Sequence, residues 1–96
     1  TAPPEQLHTF LLACKRDGFH PARRRLQEIL DKYGLAGTDF INQLHRAMFD
    51  TEFLEEIQKL ELTEMLAQVD FRLVEGGGEA LQLDAMCSNI CRLLSD

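Results

Sequence analysis

Apolar residues recur three and four positions apart along almost the whole chain, the spacing of helices that each bury one stripe. Leu7, Phe10, Leu11 and Cys14 form the first stripe; Pro3-Pro4 opens its helix, Glu5 suits the positive end of the dipole, and Gly18 stops it. Pro21 opens a second helix with Ala22, Leu26, Ile29, Leu30 and Tyr33 inward, closed by Gly34. Gly37 or Thr38 caps a third, with Asp39 in its first turn and Phe40, Ile41, Leu44, Ala47 and Met48 on its inner face. His45 lies beside that face. After Gly76-Gly77-Gly78, the residues Ala80, Leu83, Cys87, Ile90, Cys91 and Leu94 mark the last helix. Strand-like alternation is absent. The predicted fold is all-α, a compact bundle of about five antiparallel helices joined by connectors of two to five residues.

The stretch from about Thr51 to Glu75 differs from the others. It contains no Gly or Pro and reads as one long helix, or as two meeting near Leu62-Thr63. At about 100° per residue, Phe53, Ile57, Leu60, Ala67, Phe71 and Val74 gather on one side, and Leu62, Leu66, Val69 and Leu73 nearly opposite. Polar seams separate them, with Glu61, Gln68, Arg72 and Glu75 on one side and Lys59, Thr63 and Asp70 on the other. A helix apolar on two opposed flanks must be covered twice. Either it runs through the middle of its own bundle, which is the first expectation, or one flank docks on another chain.

Ninety-six residues fit one domain, and a chain this short buries only about two-thirds of its unfolded surface, which leaves it marginal and helped by partners. The net charge of −6 is unevenly spread. Residues 1–48 hold seven Lys/Arg against five Asp/Glu, and residues 49–96 hold three against eleven. A mildly basic half and a strongly acidic half favour head-to-tail association of copies, hence rings. No apolar run approaches the about 20 residues that span a bilayer, and no charged-then-apolar leader opens the chain, so an intracellular setting is expected. Three cysteines, Cys14, Cys87 and Cys91, cannot all pair within one chain and read as reduced, buried thiols.

Candidate chemistry is sparse. Gly76-Gly77-Gly78 lacks the lysine and hydroxyl of a phosphate loop and follows a helix rather than a strand. Cys87 and Cys91 share a helical face, but a metal site usually needs four ligands, and nothing in the spacing brings His8, His20 or His45 to them. No metal ligand set is assigned, and no catalytic residue either, since no nucleophile signature accompanies His45. Glu52, Glu55, Glu56, Glu61 and Glu64 read as a solvated face, with Lys59 pairing to Glu55 or Glu56. Six of the ten basic residues fall between Lys15 and Lys32, and within them Arg23, Arg24 and Arg25 are the candidate DNA contacts. No helix-turn-helix or aromatic platform accompanies them.

Val69-Asp70-Phe71-Arg72-Leu73, Glu75-Gly76 and Leu81-Gln82-Leu83, with Tyr33-Gly34-Leu35 and Gln43-Leu44-His45-Arg46 upstream, closely resemble the C-terminal collar domain of replication factor C small subunits, the archaeal and eukaryotic sliding-clamp loader. The resemblance runs nearly end to end. It departs at Ala2 and Ala36, where the family often has serine, and at Cys87 and Cys91, which replace aliphatic or small residues. It implies a single oligomerisation domain over residues 1–96, with the ATPase domains, their ATP and their magnesium elsewhere in a larger parent; no cofactor is expected in these residues. It further implies partnership with other replication factor C subunits in a collar ring, and with the sliding clamp (PCNA) and primer–template DNA through the parent complex. Phe71, Arg72, Val74, Glu75 and Gln82 are the nominated subunit contacts. No membrane role is implied; the setting would be cytoplasmic if archaeal, which is favoured, or nuclear if eukaryotic.

Overall fold

A computed structural model describes all residues, 1–96, as five α-helices: α1 (Pro4–Arg16), α2 (Phe19–Tyr33), α3 (Gly37–Met48), α4 (Glu56–Val74) and α5 (Glu79–Leu94). The all-α bundle expected from the pattern is what forms. Local chemistry accounts for most boundaries. Pro4 sits in the first turn of α1, where a missing N–H costs nothing. Gly34 closes α2 in the left-handed conformation, φ 60° and ψ 42°, and Leu35 N–H returns to the Leu30 carbonyl at 3.0 Å. Helix α2 begins two residues before Pro21, at Phe19, because Gly18 at φ 95° makes the break and Pro21 still lies within the first turn.

The cap of α3 comes from elsewhere. Neither Gly37 nor Thr38 caps it; Ala36 stands at the cap position, where it has no side-chain acceptor to offer. Asp39 Oδ2 accepts from Ala36 N–H at 3.2 Å, and Glu79 Oε1 of α5 accepts from Gly37 N–H at 2.6 Å. The free N-terminal amides of α3 are thus met by a carboxylate at the start of another helix. Gly37 is buried for that reason, since a Cβ there would lie 2.8 Å from Glu79 Oε1.

Around a centre formed by α1 the packing is unequal. Helix α1 lies against α2, α3 and α5, whereas α4 packs in the main on α3 and α5 only. Phe10 of α1 meets Phe40 of α3 edge-to-face, ring centres 5.4 Å apart, and both are fully enclosed. Leu7, Leu11, Leu26, Ile29, Leu44, Met48, Leu83, Met86 and Ile90 complete one continuous core. The helix that runs through the middle is therefore α1. Placement of α4 there, the first expectation from its two flanks, is corrected: α4 lies at the edge, and only Leu62, Leu66 and Val69 of its residues are buried.

The start of α4 is also corrected, from about Thr51 to Glu56, and it is a single helix without a break at Leu62-Thr63. Seven residues, 49–55, join it to α3, longer than the expected connectors. Their turn is built by Thr51, whose buried hydroxyl donates to the Ala47 carbonyl at 3.0 Å, and by Leu54, which is buried in the core and whose N–H returns to the Thr51 carbonyl at 3.2 Å. Burying Leu54 there bends the backbone out of helical register. Lys59 pairs with neither Glu55 nor Glu56; its Nζ donates to the Phe49 carbonyl at 3.0 Å, clamping the first turn of α4 to the end of α3.

Candidate functional site

Helix α4 presents its second flank to solvent. Phe71 and Val74 keep 65% and 71% of their surface exposed, and Ile57 and Leu60, in the first and second turns of the same helix, are also exposed. Leu62, Leu66 and Val69 lie on the opposite side at no more than 3%. From Ile57 to Val74 the exposed stripe runs about 26 Å along the helix at 1.5 Å per residue. Phe53, grouped with this stripe by its angle, instead lies in the connector and packs against the core. Leu81, in the first turn of α5, adds a further exposed aliphatic side chain just past the glycine turn. Exposed apolar side chains gathered on one side of a helix, here with Glu64 between the Ile57–Leu60 and Phe71–Val74 pairs, are a feature of protein-docking surfaces.

The borders are polar and largely uncommitted. Arg72 is exposed and takes part in none of the chain's three ion pairs; neither Gln68 nor Glu75, its neighbours in the polar seam, bonds to it. Gln68 donates to Glu64 at 3.3 Å instead. Ala67, Gln68, Phe71 and Arg72 line an open hollow of about 380 Å³. Glu75 ends the helix, exposed. Gln82 is half-buried and partly occupied within its own chain, because Gly77 lies against its Cγ. Of the nominated contacts, Phe71, Arg72, Val74 and Glu75 are exposed, Phe71 and Val74 on the outer flank and Arg72 in the polar seam beside it, and Gln82 is half-buried. Ile57 and Leu60 share the outer flank with Phe71 and were not nominated; the helical angle aligns them with Phe71, and that was the available signal.

The turn that holds this face is tight. Gly76 adopts φ 100°, where a side chain would be strained, and Gly77 N–H returns to the Arg72 carbonyl at 2.8 Å. A Cβ at Gly77 would stand 2.9 Å from that same carbonyl oxygen. The last turn of α4 and the first of α5 are thereby fixed side by side.

The basic cluster is less free than its composition suggests. Arg23 Nε donates to Asp84 Oδ1 of α5 at 2.8 Å, and the bonded carboxylate raises the guanidinium's already high pKa. Arg25 lies 3.9 Å from Glu28 on its own helix, and Lys15 pairs with Asp96. Arg24 alone of the three arginines is exposed and without an ion-pair partner. Half of the cluster, Lys15, Arg23 and Arg25, is therefore engaged with the chain's own acids.

The three cysteines are free and buried, as their place on apolar stripes predicts. Their convergence is new: the sulfurs of Cys14, Cys87 and Cys91 all lie within 4.8 Å of one another. Interaction with the Cys87 thiol, with burial acting the same way, pushes Cys14 far up, and the same interaction holds Cys87 down against its own burial. Burial raises Cys91. No histidine joins them; His8 Nε2 lies 3.1 Å from the Ala47 carbonyl, at the end of α3. No helix is long and apolar enough to cross a membrane.

The chain is similar to known proteins over most of its length. The family model described as "Replication factor C C-terminal domain" matches residues 2–89. Curated relatives named replication factor C small subunit include that of Methanocella arvoryzae, 35% identical over 93% of this chain and 27% of the relative. That of Natronomonas pharaonis is 35% identical over 96% of this chain and 28% of the relative. The Pyrococcus furiosus protein is 39% identical over 88% of this chain and 10% of its own length. The chain spans about a quarter, or less, of the length of these relatives.

Proposed function

The chain belongs to the replication factor C C-terminal domain family, and from that premise we propose that it is an assembly domain, joining clamp-loader small subunits to one another through the exposed flank of α4. The observation that carries this reading is the opposition of the two flanks: Leu62, Leu66 and Val69 are consumed by the bundle, while Ile57, Leu60, Phe71 and Val74 are left in water. Leaving four large apolar side chains exposed on one side of one helix is unfavourable for a solitary domain and favourable for one that is covered by a neighbour. Phe71 supplies the aromatic anchor, and Arg72, with no carboxylate of its own, supplies a guanidinium for a charge-assisted bond to the partner.

In this reading the domain's work is mechanical. Neighbouring copies held at this face would form a ring, and the ring would keep together ATPase modules that shift during ATP binding and release. Loading of the sliding clamp onto primer–template DNA is then the activity of the whole assembly, inside the cell, and this domain contributes its cohesion.

Sedimentation velocity of the chain alone, and of the chain mixed with full-length replication factor C small subunits, tests the reading. Association is expected, and Ile57→Ser, Leu60→Ser, Phe71→Ser and Val74→Ser combined should abolish it without unfolding the bundle. A monomer at all concentrations that ignores every small subunit would overturn it.

A further inference from the structure

Cys14 projects from α1, and Cys87 and Cys91 from one face of α5, into the place where α1, α2 and α5 pack together. The four-residue spacing stacks two sulfurs one turn apart, and Cys14 enters at their level from the facing helix, so that all three lie within 4.8 Å of one another. Apolar packing alone would be served as well by alanine or valine here; what the cysteines add is three convergent soft donors. We propose that Cys14, Cys87 and Cys91 form a three-sulfur site for one soft, closed-shell cation, and that the ion it takes is Cu(I).

The donor count selects the ion. A structural Zn²⁺ site wants four donors in a tetrahedron, and no histidine, aspartate, glutamate or further cysteine joins the three sulfurs. The carboxylate nearest along α5, Asp84, has an oxygen engaged by Arg23 at 2.8 Å. Cu(I) favours sulfur donors and is satisfied by three of them in a plane. With metal–sulfur bonds of about 2.3 Å, a trigonal arrangement sets the sulfurs roughly 4.0 Å apart. The widest of the present separations, no more than 4.8 Å, exceeds that by less than about 1 Å.

Surroundings suit the same ion. Cys14 and Cys87 are wholly enclosed, and Cys91, 9% exposed, provides the edge by which an ion would enter. Binding releases the thiol protons to solvent and leaves the site negative, with Asp84 acting on Cys87 against that charge and the Arg23 guanidinium, itself bonded to Asp84, acting in its favour.

The test uses the reduced chain without oxygen, titrated with Cu(I) against a chromophoric Cu(I) chelator. One equivalent should be taken up, with ultraviolet sulfur-to-copper charge-transfer absorption and a raised melting temperature. Cys91→Ser, at the edge and so compatible with the fold, should lower the affinity at least roughly tenfold; Cys14→Ala should do the same from α1. No Cu(I) uptake, or undiminished uptake by Cys91→Ser, would overturn the proposal. So would Zn²⁺ binding equally tightly in a parallel competition, which would indicate a fourth donor, or a disulfide formed on exposure to peroxide as the only chemistry the three sulfurs show.

Discussion

Leu66 and Phe71 stand on opposite sides of α4, and the sharpest prediction is that truncating each to alanine separates folding from association. Leu66 is 2% exposed among the core residues, so Leu66→Ala removes buried methyl groups and leaves a cavity, costing about 2–5 kcal/mol of stability. For a chain of this size each kcal/mol lowers the melting temperature by roughly 4–8 °C, which puts the drop at about 10 °C or more. Phe71 keeps 65% of its surface in water, so Phe71→Ala should change stability by no more than about 0.5 kcal/mol. Its loss is felt at the interface. An aromatic side chain of roughly 200 Å², two-thirds exposed, has on the order of 130 Å² left to bury, worth about 3 kcal/mol at 25 cal/mol per Å². The alanine methyl retains a part, leaving about 2 kcal/mol, or roughly a 30-fold weaker Kd. Thermal melting by circular dichroism reads the first effect, and equilibrium sedimentation against a full-length small subunit reads the second. If Phe71→Ala melts as early as Leu66→Ala, or associates as tightly as the unaltered chain, the assignment of the outer flank to subunit contact is refuted.

Three further outcomes follow from particular contacts. Gly76→Ala, forced to φ 100°, should destabilise the chain by about 1–2 kcal/mol, while Gly78→Ser, at φ −62° with open space and a hydroxyl able to cap α5, should stabilise it by about 0.5–1 kcal/mol; equal melting temperatures would contradict this reading of the glycine turn. Glu79→Ala should cost about 1 kcal/mol and speed hydrogen exchange at Gly37 N–H specifically, since that amide loses its 2.6 Å acceptor; unchanged exchange there would show that the inter-helix cap carries no weight. With Arg23 held by Asp84 and a net charge of −6, the chain should not retard primer–template DNA even at low salt; retardation that vanishes in Arg24→Glu would restore the DNA-contact reading.

Periodicity made the helices legible because a stripe is a local property: three- and four-residue spacing marks a helical face wherever the rest of the chain lies. Leu7, Phe10, Leu11 and Cys14, or Phe40, Ile41 and Leu44, identified their inner faces for that reason, and Gly34 announced its own turn. The Thr51–Glu55 segment was not legible. It holds no Gly or Pro, and only the burial of Leu54 and the Thr51 hydroxyl bond show that the chain bends there.

By itself the sequence determined that α4 has two apolar flanks, that the chain is a helical bundle, and which family it belongs to. The tertiary structure decided which flank is free. Both stripes are about equally hydrophobic, and the choice between them depends on where α3 and α5 come to rest, which no local spacing encodes. The same holds for the cap that Glu79 lends α3 and for the meeting of Cys14 with Cys87 and Cys91: each joins residues more than forty positions apart. Contacts of that reach are set by how helices cross, and helices cross according to the packing of the whole core.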